Sequence, residues 1–291
     1  MTTLPDPISF ASAQEKFISQ LKNQKRSSAT IIAYSGDLQQ LRTFLESHRI
    51  TQASTVLPEH LQQFVAGLTT QSYTAKSISR KINSLKTFFK FLNQSELITT
   101  NPSTPLTHPK LDNKPPHILT PTEVKNLRDA CRLDIRISAI VELLLQTGMR
   151  ISELANLRLD DIKKNEVFIG VLENNPSRTI PLAKPALSAV QNFLAIRPQT
   201  KDDHLFVTKT GKPLLIRNIR TAIDRYFQKA GVADAKVNDM RHTFIAFQLS
   251  HGLNPEIVHK YVGHRRLTST SKYLDHIQIS VTTPTLRLLE L

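Results

Sequence analysis

The stretch YVGHRRLTSTSKYLDH, residues 261–276, combines two tyrosines with three cationic residues and holds one carboxylate, near its end. Gly263 follows an apolar run with helical spacing, and glycine commonly ends a helix in the left-handed conformation. Tyr261 belongs to that apolar run, so we expect it in the core. Tyr273 follows His264 by nine positions in basic surroundings, and this pair is the feature that requires an explanation.

The charge of the chain favours a polyanionic partner. The 291 residues carry a formal net charge of +14, and the sequence pI is about 10.0. An excess of this size bears on partners rather than on fold; nucleic acid is the first candidate and an anionic membrane surface the second. The alternative is a basic protein that has no such partner.

The sequence lacks the features of disulfide-bonded, secreted and membrane-spanning proteins. The single cysteine, Cys131, permits neither a disulfide within the chain nor a cysteine-based metal site, and we expect it to be a buried apolar residue. Residues 1–10 hold no basic segment and no long apolar run, so we predict no signal peptide. No stretch approaches the roughly 18 apolar residues of a membrane span. These patterns predict a cytoplasmic protein that needs no membrane anchor, metal or cofactor.

Hydrophobic periodicity predicts two domains and a mainly α fold with a small β-hairpin or sheet, an α+β class. Residues 8–98 repeat apolar side chains at helical spacing, which predicts a bundle of about four helices. Residues 99–117 contain five prolines and no apolar period, which indicates a linker. Residues 118–291 mix helical and strand patterns and form the second domain.

Local signals position the elements of the second domain. Thr120, Pro121 and Glu123 fit an N-cap, a first helical position and a capping box. Gly148 is expected to end a helix. The remaining predictions are a hairpin of strands 166–172 and 178–182, a third strand at 204–208, and a short apolar helix at 283–291.

The polar residues do not form the patterns of several common enzymes, since there is no Gly-rich phosphate loop, no GxSxG and no HExxH. What remains is a set of cations near predicted helix ends: Arg150, Arg241 and His264. Guanidinium groups bind phosphate oxygens through paired hydrogen bonds. A buried ion pair of Arg150 with Glu153 or Asp161 is an equally good explanation of that arginine.

Three blocks of sequence together carry a resemblance to a known family. They are TGMRISELANLRLDDI at 147–162, DMRHTFIAFQLSHG at 239–252 and YVGHRRLTSTSKYL at 261–274. In order and spacing they resemble the motif blocks of the tyrosine site-specific recombinases, or phage integrase family, and in length the chain is most similar to compact Xer-type members. TIIAYSGDLQQLRTFL, at 30–45, is similar to part of that family's DNA core-binding domain. The resemblance covers about residues 10–280 and implies a core-binding domain followed by a catalytic domain.

The resemblance implies a chemical role for four residues that match positions of the family's motifs. Tyr273 would attack a DNA phosphodiester and form a 3′-phosphotyrosine link. Arg150, Arg241 and His264 would hold the phosphate. The link keeps the energy of the phosphodiester bond, so rejoining requires neither ATP nor a metal.

The resemblance also implies an assembly, a homo-tetramer acting on two double-stranded DNA sites, with the protein a monomer in solution as one alternative. The C-terminal tail would dock on a neighbouring protomer; packing on its own domain is the alternative. From the residues themselves, we expect Arg265, Arg266 and Lys272 to favour the phenolate of Tyr273.

Two residues of the family pattern are missing. The hairpin lysine that acts as general acid in the family is replaced by Glu173, and the histidine three positions before Arg241 is replaced by Asn238. The alternatives for the proton transfer are Arg178, Lys209 or Lys212, and an activating protein partner. His242 is expected to point in a different direction on its helix, which makes it a poor substitute for a residue at position 238.

A basic helix in the first domain is a candidate reader of the DNA major groove. Its cations are Arg80, Lys81, Lys86 and Lys90. A solvated helix face is the alternative. Two other functions stay open: a degenerate relative that binds DNA without cleaving it and acts as a regulator, and a topoisomerase or nicking enzyme that uses the same tyrosine.

Overall fold

The computed structural model describes residues 8–112, 114–172, 175–278 and 287–291, and the chain divides into two compact units between residues 113 and 114. The described residues form mainly helices and one small sheet, so the predicted fold class is confirmed. Among them, no helix combines the length and the apolar character needed to cross a membrane.

The first unit is a helical bundle closed around aromatic side chains. Its helices are α1 (Phe10–Asn23), α2 (Ser28–Ser47), α3 (Pro58–Thr70) and α4 (Ala75–Gln94). Phe10 and Phe17 of α1 both contact Phe88 of α4, with ring centroids 5.2 and 5.4 Å apart. Leu106, in the predicted linker, is buried in the same core and Ser103 is fully buried. The packed part of the first unit therefore extends beyond residue 98.

Among the described residues, the second unit has eight helices and three strands, packed around two clusters of buried apolar side chains. In chain order they are α5 (Pro121–Cys131), α6 (Ile135–Thr147), α7 (Ile151–Ala155), β1 (Ile162–Lys163), β2 (Glu166–Ile169), β3 (Arg178–Pro181), α8 (Lys184–Ile196), α9 (Ile216–Lys229), α10 (Val237–Ser250), α11 (Pro255–Val262) and α12 (Thr268–Ser271). A short 3₁₀ helix, Lys272–His276, follows α12. The predicted capping box is confirmed, because the Thr120 hydroxyl accepts from the Glu123 amide and the Glu123 carboxylate accepts from the Thr120 amide.

The sheet is antiparallel in the order β1-β2-β3, and β2 and β3 form the predicted hairpin. The prediction of a third strand at 204–208 is wrong. That segment makes only isolated bridges, from His204 to Arg158 and from Val207 to Pro213. Its three consecutive apolar residues, Leu205–Val207, are buried by packing rather than by strand pairing. Phe206 stacks on Phe193 of α8, with ring centroids 5.1 Å apart.

The described end of the tail, residues 287–291, is not helical, so the prediction of an apolar helix there is wrong for this part. Two buried glutamine side chains hold it instead. The Gln248 amide binds both the N–H and the carbonyl of Leu289, and the Gln146 amide does the same for Leu291. The described end of the tail therefore packs on its own domain, which was the alternative to docking on a neighbour.

Gly148 ends α6 and fixes where the following loop begins. Its φ is +59°, and a Cβ there would lie 2.4 Å from Cδ1 of the buried Phe244 on α10. A side chain would therefore be strained by the backbone and would collide with a ring that has no room to move. This glycine allows α6 and α10 to approach and directs residues 149–150 into the site described below.

We predict that Gly148→Ala lowers the free energy of unfolding of the second unit by at least about 1 kcal/mol. Gly67→Ala is the matched control, because Gly67 lies inside α3 with open space around its Cβ. That substitution is expected to raise stability by about 0.5–1 kcal/mol. Calorimetric unfolding of the two variants measures both effects, and wild-type stability in Gly148→Ala would contradict the structure.

Candidate active site

The carboxyl end of α11 gathers three arginines. The last carbonyls of a helix lack intrahelical partners, and here three consecutive ones accept from three different side chains. The pairs are Tyr261 with Arg178 Nε at 2.6 Å, Val262 with Arg241 Nη2 at 2.8 Å, and Gly263 with Arg150 Nη2 at 3.0 Å. Residues distant in sequence are thereby fixed around a single helix end.

Glu153 joins two of these arginines. Its carboxylate is fully buried and accepts from Arg150 Nη1 at 3.0 Å and from both Nη atoms of Arg178 at 3.0 and 2.7 Å. Burial alone would raise the pKa of Glu153, but Arg178 and then Arg150 outweigh burial and hold the pKa below its usual range. The ion pair with Glu153 that the sequence left open for Arg150 is present, and the Arg150 side chain nevertheless stays 27% exposed.

Arg241 is the most enclosed member of the cluster. It donates to the carbonyl of Gly148 at 2.6 Å as well as to Val262, and only 6% of its surface is exposed. Burial, and then the charge of Arg150, lower the pKa of Arg241 to about 9. Three guanidinium groups face one carboxylate, which leaves two positive charges in excess. Such an arrangement is suited to an anion with two accessible oxygens.

His264 lies directly beyond the glycine that ends α11. Its Nδ1 is 2.7 Å from the hydroxyl of Thr270, which is fully buried. Burial, then Arg241 and Arg150, lower the pKa of His264 to about 3. The imidazole is therefore neutral at physiological pH, and Nε2 has no hydrogen-bond partner in the described part of the chain.

Tyr273 is folded into this cluster. The ring is 8% exposed, and the hydroxyl lies 2.5 Å from Nδ1 of His242. Burial raises the pKa of Tyr273, and Arg241 opposes that shift. The expectation that Arg265, Arg266 and Lys272 lower this pKa is wrong, because all three are exposed and the cation that acts on the phenol is Arg241.

The expectation that His242 points in a different direction from position 238 is wrong, because its ring contacts both Asn238 and Tyr273. Asn238 and His242 are four positions apart on α10, so both lie on one helix face. The amide Nδ2 of Asn238 is 2.8 Å from Nε2 of His242, and the opposite ring nitrogen faces Tyr273. The i, i+4 spacing could have revealed the pair, but only the packing of the 3₁₀ helix against α10 brings the tyrosine to it.

The other residues considered for proton transfer lie elsewhere. Arg178 is 7% exposed, and its guanidinium is committed to Glu153 and to the Tyr261 carbonyl. Lys209 and Lys212 are exposed in the turn after Val207, and Lys209 lines clefts that contain no member of the arginine cluster. Glu173 lies outside the described residues. The cleft that does reach Arg241, of about 470 Å³, is lined by Lys236, Arg220 and Asn238 among others.

The predicted DNA-binding cations of α4 separate into two groups. Lys81 is a correction: it is buried, and its ammonium binds Asp37 at 2.9 Å and Gln40 at 2.6 Å, so it has no surface to offer a phosphate. Arg80 is 45% exposed but also pairs with Asp37. Lys86 and Lys90 are at least partly exposed, lie one turn apart, and have no ion-pair partner in the described ranges.

Among the described residues, one group brings together three side chains that could ligate a metal: Asp202, Asp203 and His204. These side chains already have partners. His204 binds Asp202 at 2.7 Å, and Asp203 pairs with Arg158. The group also lies outside the arginine cluster, whose side chains are suited to an anion rather than to a cation.

Comparison with known proteins finds a family match for each of the two units. Residues 117–278 match the model of the phage integrase family, and residues 15–96 match the phage integrase N-terminal SAM-like domain. The tyrosine recombinase XerC of Staphylococcus epidermidis is 31% identical over 270 residues, 89% of this chain and 91% of the relative. XerC of Anoxybacillus flavithermus is 30% identical over 280 residues, 90% of this chain and 93% of the relative.

Solved structures show the same fold. A lambda integrase dimer bound to a COC′ core site has a TM-score of 0.76 at 15% identity, covering 97% of this chain and 81% of that one. The Tn1549 transposon integrase in complex with a circular intermediate DNA has a TM-score of 0.74 at 20% identity, covering 91% of this chain and 94% of that one. With both of its domain types matched and XerC relatives aligned over most of its length, the chain belongs to the phage integrase family of tyrosine recombinases.

Proposed function

We propose that this protein is a site-specific DNA recombinase that cuts and rejoins DNA through a 3′-phosphotyrosine at Tyr273. The observation that carries the proposal is that the Tyr273 hydroxyl, which contacts His242, lies within electrostatic reach of Arg241. Arg241 is the buried member of a guanidinium cluster with two excess positive charges. Arg150 and Arg241 bind the scissile phosphate, and His264, a neutral hydrogen-bond donor, supplies a third contact.

The arginine cluster suits this reaction because negative charge develops on the phosphate oxygens during attack. Attack by the tyrosine oxygen gives a pentavalent phosphorus whose equatorial oxygens gain negative charge. Fixed donors in a water-poor site stabilise that charge without reorganising. Because Arg241 and Arg150 are already held by backbone carbonyls and Glu153, their orientation is set before DNA arrives.

The partner in this proposal is double-stranded DNA, and the acting species is a homo-tetramer on two sites. The net charge of +14 supports a polyanionic partner. Lambda integrase, of like fold with a TM-score of 0.73, has been solved as a tetramer bound to a Holliday junction. An activating protein partner and a cytoplasmic location stay predictions.

A second candidate is a DNA-binding relative that does not cleave. The replacement of the two family residues by Glu173 and Asn238 favours it, since loss of a proton donor costs about 10²- to 10⁴-fold in rate. The intact arginine cluster and the position of Tyr273 oppose it. Both candidates bind DNA, so covalent attachment distinguishes them.

We predict that Tyr273→Phe abolishes a covalent protein–DNA adduct that the wild type forms. The substrates are duplexes from the genomic neighbourhood of the gene, nicked next to the scissile position so that the cleaved fragment leaves and the intermediate accumulates. Tyr226→Phe is the control, because it removes a phenol hydroxyl that binds Asp134 in the same unit. Site-specific binding without an adduct in the wild type would favour the non-cleaving regulator.

The free cations of α4 give a second prediction. Lys86→Ala with Lys90→Ala is expected to weaken DNA binding and to reduce the salt slope of log K by about 2, since each phosphate contact contributes about 0.9. Lys22→Ala with Lys25→Ala removes the same charge from the exposed end of α1 and its following turn, as a control. Affinity titrations at several salt concentrations measure both; equal slopes in the two double variants would contradict the assignment of α4.

A third prediction concerns Arg178, which we expect to stabilise the fold by pairing with Glu153 rather than to donate a proton. Arg178→Ala leaves Glu153 buried with one guanidinium fewer, and breaking a buried pair costs about 3–5 kcal/mol. Arg158→Ala removes an arginine from an exposed pair and is expected to change stability little. Denaturant unfolding separates the two, and wild-type stability in Arg178→Ala would show that the guanidinium is free for another task.

A further inference from the structure

Three side chains form a hydrogen-bonded series that ends at the nucleophile. Nδ2 of Asn238 is 2.8 Å from Nε2 of His242, and Nδ1 of His242 is 2.5 Å from the Tyr273 hydroxyl. We propose that His242 accepts the phenolic proton of Tyr273 when the phosphotyrosine bond forms, and that Asn238 is the positioning residue for its imidazole. The inference rests on the proposed function and adds to it the base that activates the tyrosine.

In the described part of the chain, His242 is the group in contact with the phenol that can accept a proton, and the other charged or titratable groups of the site are committed elsewhere. Arg241 is a cation. Asp239 on the same helix caps α10 at the Lys236 amide, at 2.8 Å, and pairs with His117. His264 comes from the turn after α11 and directs Nδ1 to Thr270 rather than to Tyr273. Glu153 is saturated by two arginines.

The surroundings keep His242 neutral and therefore able to act as a base. Burial lowers its pKa, Asp239 opposes that shift, and Arg241 adds to it. A neutral imidazole carries a hydrogen on one nitrogen and a lone pair on the other. For Nδ1 to accept from Tyr273, Nε2 must carry the hydrogen, and the partner at position 238 must accept it.

Asparagine can fill that role because its amide presents either group after a half-turn about χ2. With Oδ1 towards Nε2, the amide accepts from Nε2–H and fixes the tautomer in which Nδ1 is free to take a proton. The same contact is retained once His242 is protonated, since Nε2–H still donates to Oδ1. Asn238, which replaces a histidine of the family pattern, thus orients the imidazole of His242 one helical turn away.

The step balances in both directions. The tyrosine oxygen bonds to phosphorus, the bond from phosphorus to the 5′-oxygen breaks, and the phenolic proton moves to Nδ1. The 5′-oxygen takes a proton from water and leaves a hydroxide in the solvent. In rejoining, the 5′-hydroxyl attacks phosphorus and gives its proton to a solvent hydroxide. His242 then returns its proton to the leaving tyrosine oxygen.

The first test uses His242→Asn, because an asparagine amide occupies the position of Nδ1 but does not titrate. We expect adduct formation on the nicked duplex to slow by about 10²-fold or more. A substrate with sulfur in place of the bridging 5′-oxygen has a leaving group that needs no proton, so it should not restore the rate. His251→Asn, at the other end of α10 with Nδ1 on the Phe247 carbonyl, is the control. A wild-type rate in His242→Asn, or its recovery with the sulfur substrate, would overturn the proposal.

The second test uses the pH profile, which a purely structural role would not move. The wild-type rate should fall as pH decreases through the pKa of His242, because the imidazolium cannot accept a proton. Asn238→Asp places a carboxylate against Nε2, raises that pKa and should move the acid limb to higher pH. Asn238→Ala should lower the rate at all pH values. An acid limb that stays in place in Asn238→Asp would overturn the role of the pair.

A third measurement is independent of cleavage. In the DNA-free protein labelled with ¹⁵N-histidine, we expect His242, assigned by its loss in His242→Asn, to carry its hydrogen on Nε2 and to respond to Tyr273→Phe. A hydrogen on Nδ1 would overturn the inference. If the wild type forms no adduct on any site, the proposed function fails, and this spectrum still decides the proton arrangement at His242.

Discussion

The carboxyl end of the helix Pro255–Val262 is the constraint on which the site depends. Its last carbonyls carry the negative end of the helix dipole and lack partners within the helix, and three guanidinium groups satisfy them. The glycine that follows has a φ of +62°, and a Cβ there would lie 2.8 Å from Nη1 of Arg178. A side chain at Gly263 would therefore displace an arginine, which explains why a glycine precedes His264.

The arginine cluster keeps a net positive charge, and its partners hold the guanidinium groups in place. Glu153 compensates one of three guanidinium charges, and the helix-end carbonyls provide dipoles rather than full charges. Burial, and then the charge of the neighbouring arginines, lower the pKa of His264 to about 3 and that of Arg241 to about 9. In the proposed function, the scissile phosphate would relieve this repulsion and so gain more free energy of binding than its hydrogen bonds alone provide.

The local features were predictable because they depend on neighbours in sequence. The Thr120 capping box, the Gly148 helix end and the hairpin all form where the residue types indicate. Lys81 was not predictable in this way. The other cations of α4 are at least partly exposed, whereas the ammonium of Lys81 is buried against Asp37, a residue 44 positions away. The segment 204–208 shows the same limit, since a short run of apolar residues fits a buried strand and a packed loop equally well.

The sequence by itself determined the two-domain α+β organisation, the three motif blocks and the identity of Tyr273, Arg150, Arg241 and His264 as residues to examine, because residue type, spacing and turn chemistry are properties of short stretches. The tertiary structure decided which of the side chains meet. It committed Arg178 to Glu153 and placed His242 beside the tyrosine, because these contacts depend on how α10, α11 and the 3₁₀ helix pack, and that packing is set by burial summed over the whole unit.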